Sequence, residues 1–325
     1  MEHSNLTQNF SEKRRKRGSD LRKPSWLKVS IPTGSSVQFV SSTKAERALY
    51  TVCEEALCPN RHECWSSGTA TFMLMGDTCT RACKFCAVAS GKPNGWLDPN
   101  EPRKLADAIN LLKLKYVVLT SVTRDDLPDG GAQHLADCIR AIKETNPTIF
   151  VEILIPDFGG NISALRTIVE SPVDVIAHNI ETVEQLTAKV RDPRASYQQS
   201  LAVLENIKLM DPTRFTKSSI MVGVGETHDD LSESFKDLRE INCDFLTIGQ
   251  YLRPSLRHMP VEKYVHPDTF EAFKNEALSL GFLFVASGPL VRSSYKAGEF
   301  FIENIIRKSK QGSDSPSSNS FIQLL

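Results

Sequence analysis

The sequence predicts an α/β fold, a partial (β/α)6 TIM-type barrel with N- and C-terminal extensions. Three observations carry that expectation. Short, nearly continuous apolar runs recur through the middle of the chain, and amphipathic stretches of helical period separate them. Strands buried on both faces read this way when helices cover a parallel sheet. Six such units can be counted, two short of the eight that close a full barrel. Finally, 325 residues, 40% of them hydrophobic, suit one large barrel-type domain or two ordinary ones.

Taken in order, residues 1–21 are polar and carry five consecutive basic residues at 13–17. They read as a disordered basic tail. Glu2 and Glu12 argue against an organellar transit peptide, which is acid-poor. Residues 22–69 show little periodicity and hold Cys53, Cys58 and Cys64, so they read as an N-terminal extension folded around a metal. Residues 70–296 carry the barrel rhythm. The apolar run at 72–75 leads into a cysteine-rich loop, and further strands are expected at 116–122, 150–155, 173–179, 219–224 and 245–249. Helices are expected near 103–113, 131–145, 161–170, 197–210, 229–241 and 267–280. Residues 297–325 read as a helix followed by a serine-rich disordered tail.

Charge and composition exclude several classes of function. With 39 basic and 39 acidic residues, nothing favours a nucleic-acid or anionic-membrane partner. No apolar run approaches the roughly eighteen residues that span a bilayer, and no signal-peptide core appears. Six of the eight cysteines form two tight triplets. That clustering points to metal ligation in a reducing compartment such as the cytoplasm, not to a disulfide framework. Cys138 and Cys243 stand apart and read as small buried hydrophobes.

The chemistry centres on Cys79, Cys83 and Cys86, spaced C-x3-C-x2-C. Three soft thiolates can hold three corners of an iron–sulfur cube and leave its fourth iron open. A bare C-x2-C would equally fit zinc or a redox pair. Reactive groups of a parallel barrel gather at the C-terminal ends of its strands. After the second strand, Asp125 or Asp126 could hold an ammonium or a ribose hydroxyl, or could only cap the next helix; Gly130 and Gly131 suit a close approach to a ligand. The fourth strand ends on His178, Asn179 and Glu181, with Arg191 ten residues beyond Glu181. A surface salt bridge is the plain alternative for Glu181. The glycines at 223 and 225 need only a tight turn. His62 and His178 read as hydrogen-bonded structural histidines, and Arg292 with Lys296 could orient an anionic or peptide substrate.

The C-x3-C-x2-C spacing with Phe85 before its last cysteine resembles the radical S-adenosylmethionine superfamily. The second triplet, and Arg292-Ser-Ser-Tyr295 near the C-terminus, narrow the likeness to the lipoyl synthase family, from about Arg22 to about Tyr295. The resemblance implies the same partial barrel and two 4Fe–4S clusters. One, on Cys79, Cys83 and Cys86, would bind S-adenosylmethionine and generate a 5′-deoxyadenosyl radical. The other, on Cys53, Cys58, Cys64 and Ser294, would donate the sulfur inserted at C6 and C8 of an octanoyl chain on a carrier lysine. Asn179, Glu181 and Arg191 become candidates to grip the methionine moiety, Arg191 facing its carboxylate. The implied partners are octanoylated lipoyl-carrier domains of 2-oxoacid dehydrogenases or the glycine cleavage H protein, a reductant such as flavodoxin or ferredoxin, and a cluster repair protein. Arg253 stands where the family has glutamine, which puts that loop's contact with substrate in question. Biotin-synthase-like enzymes lack the N-terminal triplet and the Arg-Ser-Ser-Tyr ending. An iron–sulfur electron carrier would not need a six-unit barrel, and a zinc module would be colourless.

Overall fold

The computed structural model describes residues 22–28, 35–56, 58, 60–66, 71–294, 305 and 306. One sheet organises the chain. Its strands follow in sequence order: β1 (Tyr50–Thr51), β2 (Thr71–Leu74), β3 (Tyr116–Ser121), β4 (Phe150–Leu154), β5 (Val175–Ala177), β6 (Phe215–Val222), β7 (Phe245–Gln250) and β8 (Phe284–Gly288). All neighbours pair parallel except β1, which runs antiparallel to β2. Among the described residues β1 and β8 do not pair, so the barrel is partial, as the sequence predicts.

Outside the sheet lie α1 (Glu101–Leu111), α2 (Ala132–Thr145), α3 (Ile162–Val169), α4 (Glu184–Val190), α5 (Tyr197–Met210), α6 (His228–Glu240) and α7 (Pro267–Ser279). Six βα units are present, followed by β8 as a seventh parallel strand that the unit count leaves out. The sequence reading also leaves out β1 and α4. The strand expected at 173–179 shortens to β5, leaving His178 and Asn179 on the loop beyond it.

Local chemistry explains where the helices begin. Asn161 and Ser196 accept backbone N–H bonds from Ala164 and Gln199 at the starts of α3 and α5. Thr227 and Asp230 close a reciprocal capping box on α6. Each helix then turns an apolar stripe to the sheet, for example Leu135, Ile139 and Ile142 of α2, all but fully buried. Burying each such side chain contributes about 1.5–3 kcal/mol.

The N-terminal end of the barrel is plugged. Tyr116, Phe150, Val175, Phe215, Phe245 and Phe284, the first residues of six strands, form one apolar cluster with Ile305 and Ile306. Beside it lies a buried ion pair, Lys217 Nζ to Glu152 Oε1 at 2.7 Å, with the Tyr116 hydroxyl donating to Glu152 Oε2 at 2.7 Å. With this end sealed, any ligand space lies at the opposite, C-terminal end. The tails expected at 1–21 and 297–325 fall outside the described residues, apart from Ile305 and Ile306. Lys217→Met should lower stability by about 3–5 kcal/mol, because it strands a buried carboxylate. Combining it with Glu152→Gln should recover most of that loss in thermal unfolding, since the amide still accepts from Tyr116.

Candidate active site

A cavity of about 490 Å³ opens at the C-terminal ends of the strands. Its wall brings together Cys79, Cys83 and Cys86, then Asn179, Glu181 and Arg191, and from the two extensions Cys58 and Ser294. Cys53 and Cys64 do not line it; both are buried. The Cys58 N–H donates to the Cys53 carbonyl at 3.1 Å, and the Cys53 thiol is pushed up by burial and by neighbouring Cys58.

The cysteine loop leaves β2 through two left-handed residues, Met75 and Gly76, with φ of 67° and 92°. Glu101 secures this turn: its carboxylate oxygens accept the Met75 N–H at 3.0 and 3.2 Å, and His134 Nε2 meets it at 2.6 Å. Cys138 packs nearby, fully buried as the sequence reading expects. Each sulfur of the loop receives a backbone amide. Cys79 Sγ accepts from Arg81 and Thr123, both at 3.4 Å, Cys83 Sγ from Asp192 at 3.3 Å, and Cys86 from Val88. Burial pushes the Cys83 thiol up and the Cys86 thiol up to about 12. Such thiols keep their protons until a metal replaces them. Soft sulfurs ringed by amide donors fit an iron–sulfur cluster.

Two carboxylates named from sequence are otherwise engaged. Arg81, almost fully buried, donates to Asp157 at 2.7 Å through both terminal nitrogens and to Asp125 at 2.9 and 3.0 Å. Burial pushes Asp157 up, but the Arg81 hydrogen bonds outweigh it and hold the carboxyl below its usual range. Asp126 pairs with Arg124 and accepts the Gly95 N–H at 2.7 Å; Arg124 brings it down to about 2. Neither Asp125 nor Asp126 lines the cavity. The close approaches at Gly130 and Gly131 are to Phe158 and Met75, not to a ligand space.

Asn179, Glu181 and Arg191 do meet. Asn179 Nδ2 donates to Glu181 Oε1 at 3.0 Å, and Arg191 donates to Ser200 Oγ at 2.8 Å and to the Ile180 carbonyl at 3.3 Å. Glu181 holds φ of 66° while its backbone bridges Ile220. Burial pushes its carboxyl up, against the pull of Arg191 and Asn179. Asn179 Oδ1 and Arg191 Nε are buried without a partner among the described residues. An amino-acid group bearing an ammonium and a carboxylate could satisfy both. That complementarity fits the methionine end of S-adenosylmethionine. His178 is structural, as read from sequence: Nδ1 meets the Ile155 carbonyl at 2.9 Å, Nε2 meets Ser200 Oγ at 3.1 Å, and burial lowers it to about 4.

The two extensions are joined across the cavity mouth. Asn60 Nδ2 donates to the Leu290 carbonyl at 2.6 Å, across 230 residues of chain. A Cβ on Gly249 would stand 2.3 Å from the Val291 carbonyl oxygen, so only glycine lets this segment lie on β7. Arg292 donates to the carbonyls of Gln250 at 3.3 Å and Val291 at 2.6 Å; burial lowers it while neighbouring Cys58 opposes the shift. Tyr295, Lys296 and the side chain of His62 lie outside the described residues. Arg253 donates to the carbonyls of His258 and Leu256 at 2.9 and 2.7 Å. It thereby shapes a loop that braces the cysteines: His258 Nε2 contacts the Cys86 carbonyl at 3.0 Å, and the Met259 N–H donates to Lys84 at 3.2 Å. The turn at Gly223 is filled by Glu226, which accepts the N–H groups of 223, 224 and 225. Sequence reading missed Asn60, Arg81, Asp157, Asp192, Ser200 and Gly249. Gly249 interrupts a strand-like run and Ser200 an apolar helix face, the only local signals available.

The model of the radical SAM superfamily matches residues 73–238, and that of the N-terminal domain of lipoyl synthase matches residues 1–58. A lipoyl synthase of Deinococcus radiodurans is 55% identical over 282 residues, covering 87% of this chain and 85% of the relative. One from Halorhodospira halophila is 53% identical, covering 90% and 88%. A mitochondrial lipoyl synthase of Komagataella phaffii is 55% identical, covering 88% and 70%. Among solved structures, methylornithine synthase aligns with a TM-score of 0.50 at 12% identity, over 90% of this chain and 94% of its own. Streptococcus suis SuiB bound to its precursor peptide gives 0.53 at 9% identity, over 87% and 61%. These two likenesses concern the fold alone.

Gly249→Ala should push Val291, and Ser294 with it, away from Cys58. Anaerobic reconstitution followed by iron analysis should then give about four irons per chain instead of about eight. A full complement would mean that the segment yields without moving the serine.

Proposed function

The chain belongs to the lipoyl synthase family of the radical S-adenosylmethionine superfamily, and on that premise we propose which of its residues carry the reaction. The reaction inserts two sulfur atoms, at C6 and C8, into a protein-bound octanoyl-lysine to form the lipoyl cofactor. It uses S-adenosylmethionine and two 4Fe–4S clusters on an octanoylated lipoyl domain. When bound, these groups supply a 5′-deoxyadenosyl radical for hydrogen abstraction and sulfide for capture of the resulting carbon radicals.

Cys79, Cys83 and Cys86 are assigned as ligands of the first cluster, with the amides of Arg81, Thr123, Asp192 and Val88 supporting their sulfurs. Asn179, Glu181 and Arg191 are assigned to the cofactor's amino-acid end. Cys53, Cys58, Cys64 and Ser294 are assigned to the second cluster, with the serine oxygen as a harder ligand than thiolate. The observation that supports this reading best is one cavity lined by members of all three groups. Cys58 and Ser294 on that wall would hold the sulfur-bearing group beside the substrate chain, and proximity would favour its sulfide over free sulfide.

The carriers proposed are the lipoyl domains of 2-oxoacid dehydrogenases or the glycine cleavage H protein. A flavodoxin or ferredoxin is proposed as reductant, and a repair protein to rebuild the second cluster after turnover. The cytoplasm is the proposed compartment, because reducing surroundings keep the thiols of the two cysteine triplets open to iron. No helix among the described residues is long and apolar enough to cross a membrane.

Two substitutions separate the clusters. Cys83→Ala should abolish reductive cleavage of S-adenosylmethionine. Cys58→Ala should retain some cleavage yet yield no lipoyl product; loss of all cleavage in a folded Cys58→Ala protein would sink the division of labour. Protein reconstituted with heavy-isotope sulfide, then freed of excess, should place label at both product sulfurs. Mass spectrometry of the lipoyl peptide reads this directly, and unlabelled product would refute the assignment of the sulfur source.

A further inference from the structure

We propose that Lys23 reads the carrier: at the rim of the cavity its ammonium pairs with a carboxylate beside the acylated lysine, and so favours acid-flanked target sites. The inference deepens the reading above and rests on its assignment of an acyl-lysine substrate to this cavity.

The other charged side chains on the cavity wall are engaged within the protein. Arg81 and Asp157 hold each other, Glu181 accepts from Asn179, and Arg191 donates to Ser200. Arg253 and Arg292 spend N–H groups on backbone carbonyls. All of them are buried or half-buried. Lys23 differs on both counts. Among the described residues of the wall it alone is exposed, and neither an ion pair nor a hydrogen bond joins its side chain to another described residue.

The turn that follows holds Lys23 at this rim. A residue before proline is restricted to extended backbone, and Pro24 continues the extended path with φ of −68° and ψ of 168°. Ser25–Leu27 then form one tight turn, closed by the Leu27 N–H donating to the Pro24 carbonyl at 3.2 Å. Leu27 is buried, and Trp26 packs edge-on against His266 with ring centres 5.0 Å apart. His266 caps α7, which follows the loop leaving β7, on the C-terminal side of the barrel. The start of the N-terminal extension is thereby pinned beside the cavity mouth.

The chemistry of the substrate decides what Lys23 can meet. Acylation turns the target lysine's ammonium into a neutral amide, and the acyl chain beyond it carries no charge. The long arm places its reacting carbons inside the cavity while the carrier's backbone stays at the rim. Only the neighbours of the lysine in the carrier therefore bring charge to Lys23. A carboxylate there accepts a charge-assisted hydrogen bond, whereas a basic neighbour sets like charges together. Both partners keep contact with water, so the pair selects among carriers more than it tightens binding. Lys23 touches no reacting atom; it determines specificity.

The test gives fully reconstituted protein octanoyl-lysine peptides that differ only in the flanking residue, Glu, Gln or Lys. Single-turnover formation of the lipoyl peptide is followed by mass spectrometry against peptide concentration. Wild-type protein should half-saturate at about a three- to five-fold lower concentration of the Glu peptide than of the Gln peptide, at the same limiting rate. Added salt, about 0.5 M, should close that gap. Lys23→Gln should lose the preference, Lys23→Arg should keep it, and Lys23→Glu should reverse it in favour of the Lys peptide. A preference for Glu that survives in Lys23→Gln, or wild-type protein that treats the three peptides alike, would overturn the proposal. So would weaker equilibrium binding of S-adenosylmethionine by Lys23→Gln, which would place the ammonium on the cofactor. Wild-type protein that forms no lipoyl product from any of the peptides would instead bring down the substrate reading itself, and the proposal with it.

Discussion

The Arg81 guanidinium is the interaction on which the site depends. It sits inside the cysteine loop, between Cys79 and Cys83, and is buried between Asp157 at the end of β4 and Asp125 beyond β3. A guanidinium keeps its charge even when buried, so its partners must be fixed to offset the lost hydration, and removing one partner of a buried pair costs about 3–5 kcal/mol. The loop therefore cannot move independently of the strands that flank it. Arg194 extends the same network to the segment beyond β5. Three strand ends are thus locked around the sulfurs by ionic contacts, where a loop of glycines and cysteines alone would have little to hold its shape.

Much of the architecture was legible in the sequence, for a physical reason. A strand buried on both faces leaves a run of apolar residues, and a covering helix leaves a stripe, so the six βα units stand out. Elements with neither signature do not. β1 has two residues, α4 has seven, and β8 is buried only in part along its length. The site follows the same rule. Cysteine spacing is local and was readable. For Asp125 the sequence leaves a ligand contact and a helix cap both open, because its partners, Arg81 and Arg194, lie 44 and 69 residues away. Nothing near Asp125 in the sequence announces them.

Polar groups around the cavity are held at some expense to the fold. A buried donor or acceptor without a partner costs about 1–3 kcal/mol, and a non-glycine residue at positive φ a comparable amount. Asn179 Oδ1, Arg191 Nε and the backbone of Glu181 fall in these classes. They cluster at one end of β5 and β6, whereas the opposite end of the barrel is sealed by aromatics. At this wall a polar ligand can relieve the cost, and the grip is shaped before the ligand arrives.

The hydrogen bond from Asn60 to the Leu290 carbonyl bears on when the protein becomes competent during its synthesis. Every side-chain and backbone donor described around Cys79, Cys83 and Cys86 lies at or before residue 194, apart from the outer brace from the 253–259 loop. The region around Cys58 instead waits for the end of the chain, because its far wall is residues 290–294. On a ribosome the two cysteine sets mature at different moments, with roughly a hundred residues of translation between them, or several seconds at ordinary elongation rates of about 5–20 residues per second. Through that interval the earlier thiols, Cys53, Cys58 and Cys64, have no completed pocket to enter. They are the cysteines most exposed to mismetallation or oxidation in a nascent chain.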